Sequence, residues 1–266
     1  MTECDKVYFL SDLHLGAPYL AESKEAERRV VAFLEHIRQD AKEIWLLGDI
    51  LDYWFEYRYV VPRGFVRFFG KLAELSDSGI KITWIIGNHD IWIFDYIPNE
   101  LGVEVIDGTV FRKILGKKFY MAHGDGLGKT SWNFRLIRSV FRNRLAQRLF
   151  SGIHPRWTVP FAYAWSGSSR KQGEARKPGL KTNPYDSASS PFVEHLADYS
   201  REVLKTEPDI DFFIYGHLHV AIREKLTDKA EMLILGEWIR TFSFAVFDGK
   251  EMKMCRWHDN QVINFA

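Results

Sequence analysis

An α/β (α+β) fold, with two β-sheets packed face to face and helices on their outer sides, is what this 266-residue sequence predicts. Three observations lead there. The first half alternates short apolar runs with stretches whose apolar residues recur at helical spacing. This βαβαβ order argues for parallel strands joined by crossover helices. From Val103 the texture changes to short strand-like runs broken by Asp-Gly and Gly-Lys pairs, which read as hairpins. The tail repeats that second texture, so strands come from both halves of the chain.

Val7–Leu10 is the first strand, and Asp12-x-His14 follows it. Ser23–Lys42 carries Ala26, Val30, Phe33, Leu34 and Ile37 at helical spacing. Ile44–Leu47 is the second strand, ending at Gly48-Asp49-x-x-Asp52. Gly64–Ser78 is the second helix, with Phe65, Phe68, Phe69, Leu72 and Leu75 on one side and Gly79 as its stop. Ile82–Ile86 then leads to Gly87-Asn88-His89-Asp90. Val103–Ile106, Val110–Leu115 and Lys118–Ala122 follow, parted by Asp107-Gly108 and Gly116-Lys117, and run into His123-Gly124-Asp125.

Ser131–Phe150 sets Trp132, Leu136, Val140, Leu145 and Leu149 among arginines, which makes at least one amphipathic helix. Arg156–Trp165 is aromatic and apolar, and Ser166–Ser190 reads as a loop. A helix resumes near Pro191–Lys205, and Phe212–Tyr215 precedes Gly216-His217-x-His219. Met232–Leu235, Thr241–Phe247 and Glu251–Trp257 close the chain, with a turn at Asp248-Gly249. Residues 1–125 and 191–266 are thus expected to form the core, and 126–190 an insertion that caps it. Trp45 and Trp84 belong to buried strands; Trp54 either lines a site or packs.

The formal charge is +1, but it is segregated. Residues 126–181 hold 12 Lys and Arg against one acid, Glu174, a local charge of +11 that leaves −10 for the rest. Such a block points to an anionic partner: a phospholipid surface, a phosphorylated substrate or, less well, nucleic acid. Cys4 and Cys255 have neither metal-type nor disulfide-framework spacing, so a reducing compartment is expected. No export leader and no bilayer-spanning run is read, which predicts a cytoplasmic protein, at most peripheral to a membrane. No protein partner is inferred.

Five motifs stand in order just after strand-like runs, and each supplies carboxylate, imidazole or amide oxygen. Any one of them is also what a turn would carry. Together they can converge at strand ends on two metal ions. Two ions supply a strong nucleophile from water and neutralise phosphate charge, which is what phosphoester hydrolysis requires at neutral pH. Asp49 suits the bridging role. Asp12, His14 and one late histidine complete one site; Asn88, His123 and the other late histidine complete the second. Mixed nitrogen and oxygen donors favour Mn, Fe or Zn over Mg, with Mn2+ the first expectation.

These residues resemble the calcineurin-like metallophosphoesterase superfamily, whose motif set is D-x-H, G-D-x-x-D, G-N-H-[DE], H and G-H-x-H. The resemblance spans the whole predicted core. It implies a four-layer αββα sandwich with a helical cap insertion. It assigns Asp12, His14, Asp49 and His219 to one ion, and Asp49, Asn88, His123 and His217 to the other. It also implies that His89 faces the phosphoryl group as a catalytic residue, oriented by Asp52.

Ser11-Asp12-Leu13-His14-Leu15, Gly48-Asp49-x-x-Asp52-x-Trp54, Trp132-Asn133-Phe134 and Ser166-x-Ser168-Ser169-Arg170-Lys171 narrow the likeness. They look like the UDP-2,3-diacylglucosamine hydrolases of lipid A biosynthesis, which cut a pyrophosphate to UMP and 2,3-diacylglucosamine 1-phosphate. That likeness implies a UDP-linked lipid substrate and an anionic surface on the inner face of the inner membrane as partner. It also implies substrate contacts from Asn88, His89, Ser169, Arg170 and Lys171. The best-known members carry Arg where this chain has His89. Basic residues interleaved with Trp, Phe and Leu on a helix fit a lipid surface independently. The rival readings are a soluble nucleotide or dinucleoside polyphosphate hydrolase and a non-catalytic interaction module.

Overall fold

The computed structural model describes residues 5–18, 23–128, 130, 132–164 and 190–265. In chain order the elements are β1 (Lys6–Leu10), α1 (Ser23–Ile37), β2 (Ala41–Leu47), α2 (Val66–Asp77), β3 (Lys81–Ile85), α3 (Tyr96–Leu101) and β4 (Glu104–Ile106). Then come β5 (Val110–Ile114), β6 (Lys117–Ala122), α4 (Trp132–Arg142), α5 (Arg144–Ser151) and helical residues 155–164, here α6. The last are α7 (Pro191–Thr206), β7 (Phe212–Tyr215), β8 (Ala221–Lys225), β9 (Glu231–Leu235), β10 (Ser243–Phe247), β11 (Met252–His258) and β12 (Gln261–Asn264).

The strands make two sheets, ordered β12-β11-β10-β1-β2-β3-β4 and β5-β6-β7-β9-β8. β1, β2, β3 and β4 run parallel, as do β6, β7 and β9. Alternation along each strand divides its side chains between two faces. Val7 and Phe9 of β1 and Trp45 and Leu47 of β2 face the second sheet, where they meet Phe119, Met121, Ile214 and Leu233. Phe9 and Phe119 stack at 5.6 Å across that interface. Tyr8, Leu10, Ile44 and Leu46 turn the other way, onto Val30 and Phe33 of α1 and Phe68 and Leu72 of α2. Tyr120, Phe213 and Tyr215 on the outer face of the second sheet pack on Val193, Leu196 and Ala197 of α7. Helices, sheet, sheet and helix are therefore separated by three apolar cores, as a four-layer αββα sandwich requires. Burying a side chain such as Phe33 contributes roughly 1.5–3 kcal/mol.

Trp45, Trp54 and Trp84 are all fully buried. Trp54 packs in the core, its indole N–H donating to Glu56 at 3.0 Å. Cys255 is a buried free thiol.

One hairpin expected from the sequence is not one. Val103–Ile106 and Val110–Leu115 do not pair with each other: β4 closes the first sheet parallel to β3, and β5 opens the second against β6. Asp107-Gly108 carries the chain from sheet to sheet instead of turning it back. The β5–β6 hairpin does form, over Leu115 and Gly116, both at positive φ. The basic stretch is two helices, because the Asn143 carboxamide caps α5 by accepting from Leu145 and Ala146 N–H.

Candidate metal centre

Every residue of the predicted centre lies just beyond the carboxyl end of a parallel strand, where ligands bind in α/β sheets. Asp12 and His14 follow β1, Asp49 follows β2, Asn88 and His89 follow β3, His123 follows β6, and His217 and His219 follow β7. Backbone hydrogen bonds lace these loops together: Asp12 N–H to Gly48 O at 3.1 Å, His14 N–H to Asp49 O at 2.9 Å, and Gly216 N–H to His123 O at 2.8 Å. Asp12, His14, Asp49, His217 and His219 all hold positive φ, between 44° and 68°. That conformation costs a non-glycine residue of order 1–3 kcal/mol, and such strain gathers at functional sites. Gly87 is required because a Cβ there would run into the Asp49 backbone and carboxylate. Gly216 is required because its Cβ would sit 2.6 Å from Asp12 Oδ2.

The carboxylates divide their oxygens. Asp12 Oδ2 accepts the His217 N–H at 2.9 Å, while Oδ1 is buried with no hydrogen-bond partner, 3.3 Å from His219 Nε2 and 3.7 Å from His14 Nε2. Asp49 Oδ1 accepts the His89 N–H at 2.8 Å. Its Oδ2 faces His123 Nε2 at 3.2 Å and His14 Nε2 at 3.9 Å, so a single oxygen looks toward both halves of the cluster.

Hydrogen bonds at one ring nitrogen orient two of the imidazoles. His123 Nδ1–H donates to Leu47 O at 2.8 Å, which leaves Nε2 facing the cluster, 3.2 Å from Asn88 Oδ1. His14 Nδ1 meets the Asp52 carboxylate at 3.1 Å, the carboxylate–histidine pairing that raises the basicity of a metal ligand. Among the described residues, three groups have donor atoms within 4.8 Å of one another: Asp12, His14 and His219; His14, Asp49 and His89; and Asp49, His123 and His217. An orphaned buried carboxylate oxygen, ring nitrogens turned inward and a mixed N/O donor set together fit a pair of divalent ions.

Asp52 reaches two histidines, with its backbone as well as its carboxylate. Its carboxylate holds His14 and stands 3.6 Å from His89 Nδ1. His89 Nδ1–H donates instead to the Asp52 backbone carbonyl at 3.0 Å. Asp90, which sequence reasoning passed over, fastens the third motif: it accepts from Gly87 N–H at 2.7 Å, Ile50 N–H at 2.9 Å and Trp84 Nε1–H at 3.1 Å. The motif names the residue, but only the fold brings Ile50 and Trp84 to it. Burial, then the neighbouring Asp49, raises the Asp90 carboxyl to about 6. Ser169, Arg170 and Lys171 lie outside the described residues.

Next to the centre, a cavity of about 580 Å³ runs from Asn88 and His89 past Trp92 to Val140, Phe150 and Phe161 on α4, α5 and α6. Its walls are mostly apolar side chains that sequence periodicity could not aim at the motifs.

Residues 5–221 match the family model described as calcineurin-like phosphoesterase. The chain belongs to that family. As a calcineurin-like phosphoesterase it is a metal-dependent phosphoester hydrolase. It is 45% identical over 250 residues to the UDP-2,3-diacylglucosamine hydrolase of Porphyromonas gingivalis, covering 92% of this chain and 94% of that one. The enzyme of the same name from Ralstonia nicotianae is 25% identical over 234 residues, covering 87% and 83%. A solved phosphoesterase from E. coli is 15% identical with a TM-score of 0.47, covering 97% of this chain and 96% of that one.

Metal uptake by this phosphoesterase is expected to be proton-linked. Burial opposes a charge on His14, but Asp12 and Asp52 overcome it and push the imidazole up to about 9. Burial likewise opposes a charge on His123, and Asp49 holds it well above the usual histidine range. Below those values the metal-free site carries protons that an ion must displace. Affinity should therefore rise with pH between 6 and 8, by up to about tenfold per unit for each proton released. Calorimetric titration in buffers of different ionisation enthalpy measures this directly. A flat affinity across that range would show that the histidines are already deprotonated.

Proposed function

We propose that this protein hydrolyses the pyrophosphate of UDP-2,3-diacylglucosamine, releasing UMP and 2,3-diacylglucosamine 1-phosphate. The observation that carries the reading is the apolar cavity that opens on Asn88 and His89. A dinucleoside polyphosphate hydrolase has no use for such a chamber beside its reactive centre. The 45% identity to a hydrolase of that name supports the same substrate.

In this reading Asp12, His14, Asp49 and His219 hold one divalent ion, and Asp49, Asn88, His123 and His217 hold the other. Mn2+ is the first candidate, with Fe or Zn as alternatives. Bound there, the pair supplies activation of water and neutralisation of phosphate charge. The chain's own residues do the rest. The carbonyl of Asp52 fixes the His89 ring so that Nε2 is the nitrogen left on the Asp49 side, 4.0 Å from Oδ2. From there the His89 imidazolium, protonated on both ring nitrogens, gives its Nε2 proton to the leaving phosphate oxygen and is left neutral with Nδ1–H still on the Asp52 carbonyl. Asp52 holds His14 in place, and Asp90 keeps Asn88 and His89 over Asp49.

Residues 126–190 serve as the cap. No residue of α4 or α5 is buried, in contrast to α1, α2 and α7. Leu145, Leu149 and Trp157 stay about two-thirds exposed among Arg144, Arg148 and Arg156. That surface suits an anionic membrane face better than a helix packed on the core. No helix of the described residues is long and apolar enough to cross a bilayer. In this reading attachment is peripheral, on the cytoplasmic side of the inner membrane.

The test compares substrates that share a diphosphate. UMP release from UDP-2,3-diacylglucosamine should exceed that from UDP-N-acetylglucosamine by several orders of magnitude, each buried CH₂ contributing about 0.8 kcal/mol to binding. Equal activity on the unacylated sugar, or better activity on a dinucleoside polyphosphate, would remove the lipid substrate and leave the hydrolase.

A further inference from the structure

Among the described residues, the most exposed large apolar side chain belongs to the core, not to the insertion. It is Tyr59, at 84%. The segment 57–67 that carries it, a loop running into the first turn of α2, reads Tyr-Arg-Tyr-Val-Val-Pro-Arg-Gly-Phe-Val-Arg, with three arginines and no acid. Val60 and Val66 are exposed as well. The Arg58 guanidinium lies 5.2 Å from the Tyr59 ring.

The loop is pinned at both ends. Tyr57 N–H donates to Val60 O at 3.1 Å. Phe65 is buried at positive φ, its ring 5.9 Å from Phe69 and 6.3 Å from Trp54. Phe65 gives α2 no side-chain cap, and Glu27 of α1 caps it instead, accepting from Arg67 and Phe68 N–H at 2.8 and 3.2 Å. The exposed apolar tip is therefore presented by a fixed frame.

It also borders the insertion. The Tyr57 hydroxyl lies 2.6 Å from Thr158 Oγ1 on α6, and α6 exposes Trp157 and Phe161 beside Arg156. The loop and α6 are thus joined by one contact, and each exposes apolar side chains beside arginine.

We propose that segment 57–67, the loop and the first turn of α2, is a second membrane contact. Tyr59, Val60 and Val66 enter the headgroup region of an anionic bilayer, while Arg58, Arg63 and Arg67 meet its phosphates. Tyrosine and long basic side chains suit that boundary, with an apolar body and a polar end. The inference rests on the reading of the cap as membrane-facing and extends it to the core. Two contacts, one on each part, fix which side of the molecule meets the lipid. A contact through the cap helices alone leaves it free to roll.

An environment-sensitive fluorophore on Tyr59→Cys, in a Cys4→Ser background, tests this. A label on Asp228→Cys, in the exposed turn between β8 and β9, is the control. Vesicles of phosphatidylglycerol with phosphatidylcholine should shift the emission at position 59 to the blue and leave position 228 unchanged. Arg58→Gln with Arg63→Gln should weaken partitioning on the order of 30-fold. Hydrolysis of lipid substrate in detergent micelles should stay unchanged in that variant. Vesicle binding without a shift at position 59 would overturn the loop contact and leave the cap contact standing. An equal shift with pure phosphatidylcholine would overturn the anionic assignment. Failure to bind vesicles at all would overturn both contacts, while the micelle assay reports separately on the hydrolase reading.

Discussion

Asp49→Ala should lose both metal ions and fall at least ~10³-fold in activity, since ions at a phosphoryl centre are worth several kcal/mol of transition-state stabilisation. The expectation comes from one atom. Asp49 Oδ2 is within 4.0 Å of ring nitrogens on His14, His89 and His123, while Oδ1 is committed to the His89 N–H. Each other proposed ligand serves one ion. Asp12→Ala should therefore leave one ion bound, and the contrast between the two variants is the informative result. Elemental analysis of both proteins, purified at equal metal supply, measures it. Two ions per chain in Asp49→Ala, or full activity in excess chelator, would end the bridging assignment.

His89→Ala should keep its metals and lose about 10²–10⁴-fold in turnover, the typical contribution of a positioned acid or base. His89 Nδ1 is held by a backbone carbonyl, and the residue lines the cavity. Single-turnover kinetics with metal analysis separate this from a ligand role. The separation matters because His89 also falls within reach of His14 and Asp49 as a possible third donor. Loss of an ion from His89→Ala would move it into the ligand set.

The strand ends and the order of motifs were legible because both depend on local pattern. The apolar runs Val7–Leu10, Ile44–Leu47, Ile82–Ile86 and Phe212–Tyr215 each stopped just short of a motif, whereas the split of Val7 and Phe9 from Tyr8 and Leu10 needed the two sheets. The pairing within Val103–Leu115 was not legible. Asp107-Gly108 looks the same whether it reverses a strand or passes it to another sheet, and only the partners β3 and β6 decide. β8, β12 and α3 are short, and too little apolar pattern marks them. Within the site, residue types were readable but atoms were not. That Asp52 offers its carboxylate to His14 and its carbonyl to His89 follows from how two loops meet. The cavity was invisible for the same reason, since Trp92 and Phe150 are 58 positions apart and their rings lie 5.1 Å apart.

The candidate donors are split between the sheets. Asp12, His14, Asp49 and Asn88 hang from the seven-stranded sheet, and His123, His217 and His219 from the five-stranded one. Neither sheet alone can complete an ion's coordination, so each ion would act as a rivet driven through the seam between them. Ion occupancy and seam integrity then become one thermodynamic quantity, each strengthening the other in equal measure. A cavity opened far from the ions, at the Phe9–Phe119 stack, would be read out as weaker metal retention. Metal loading, in turn, would hold the two sheets in register when heat begins to part them.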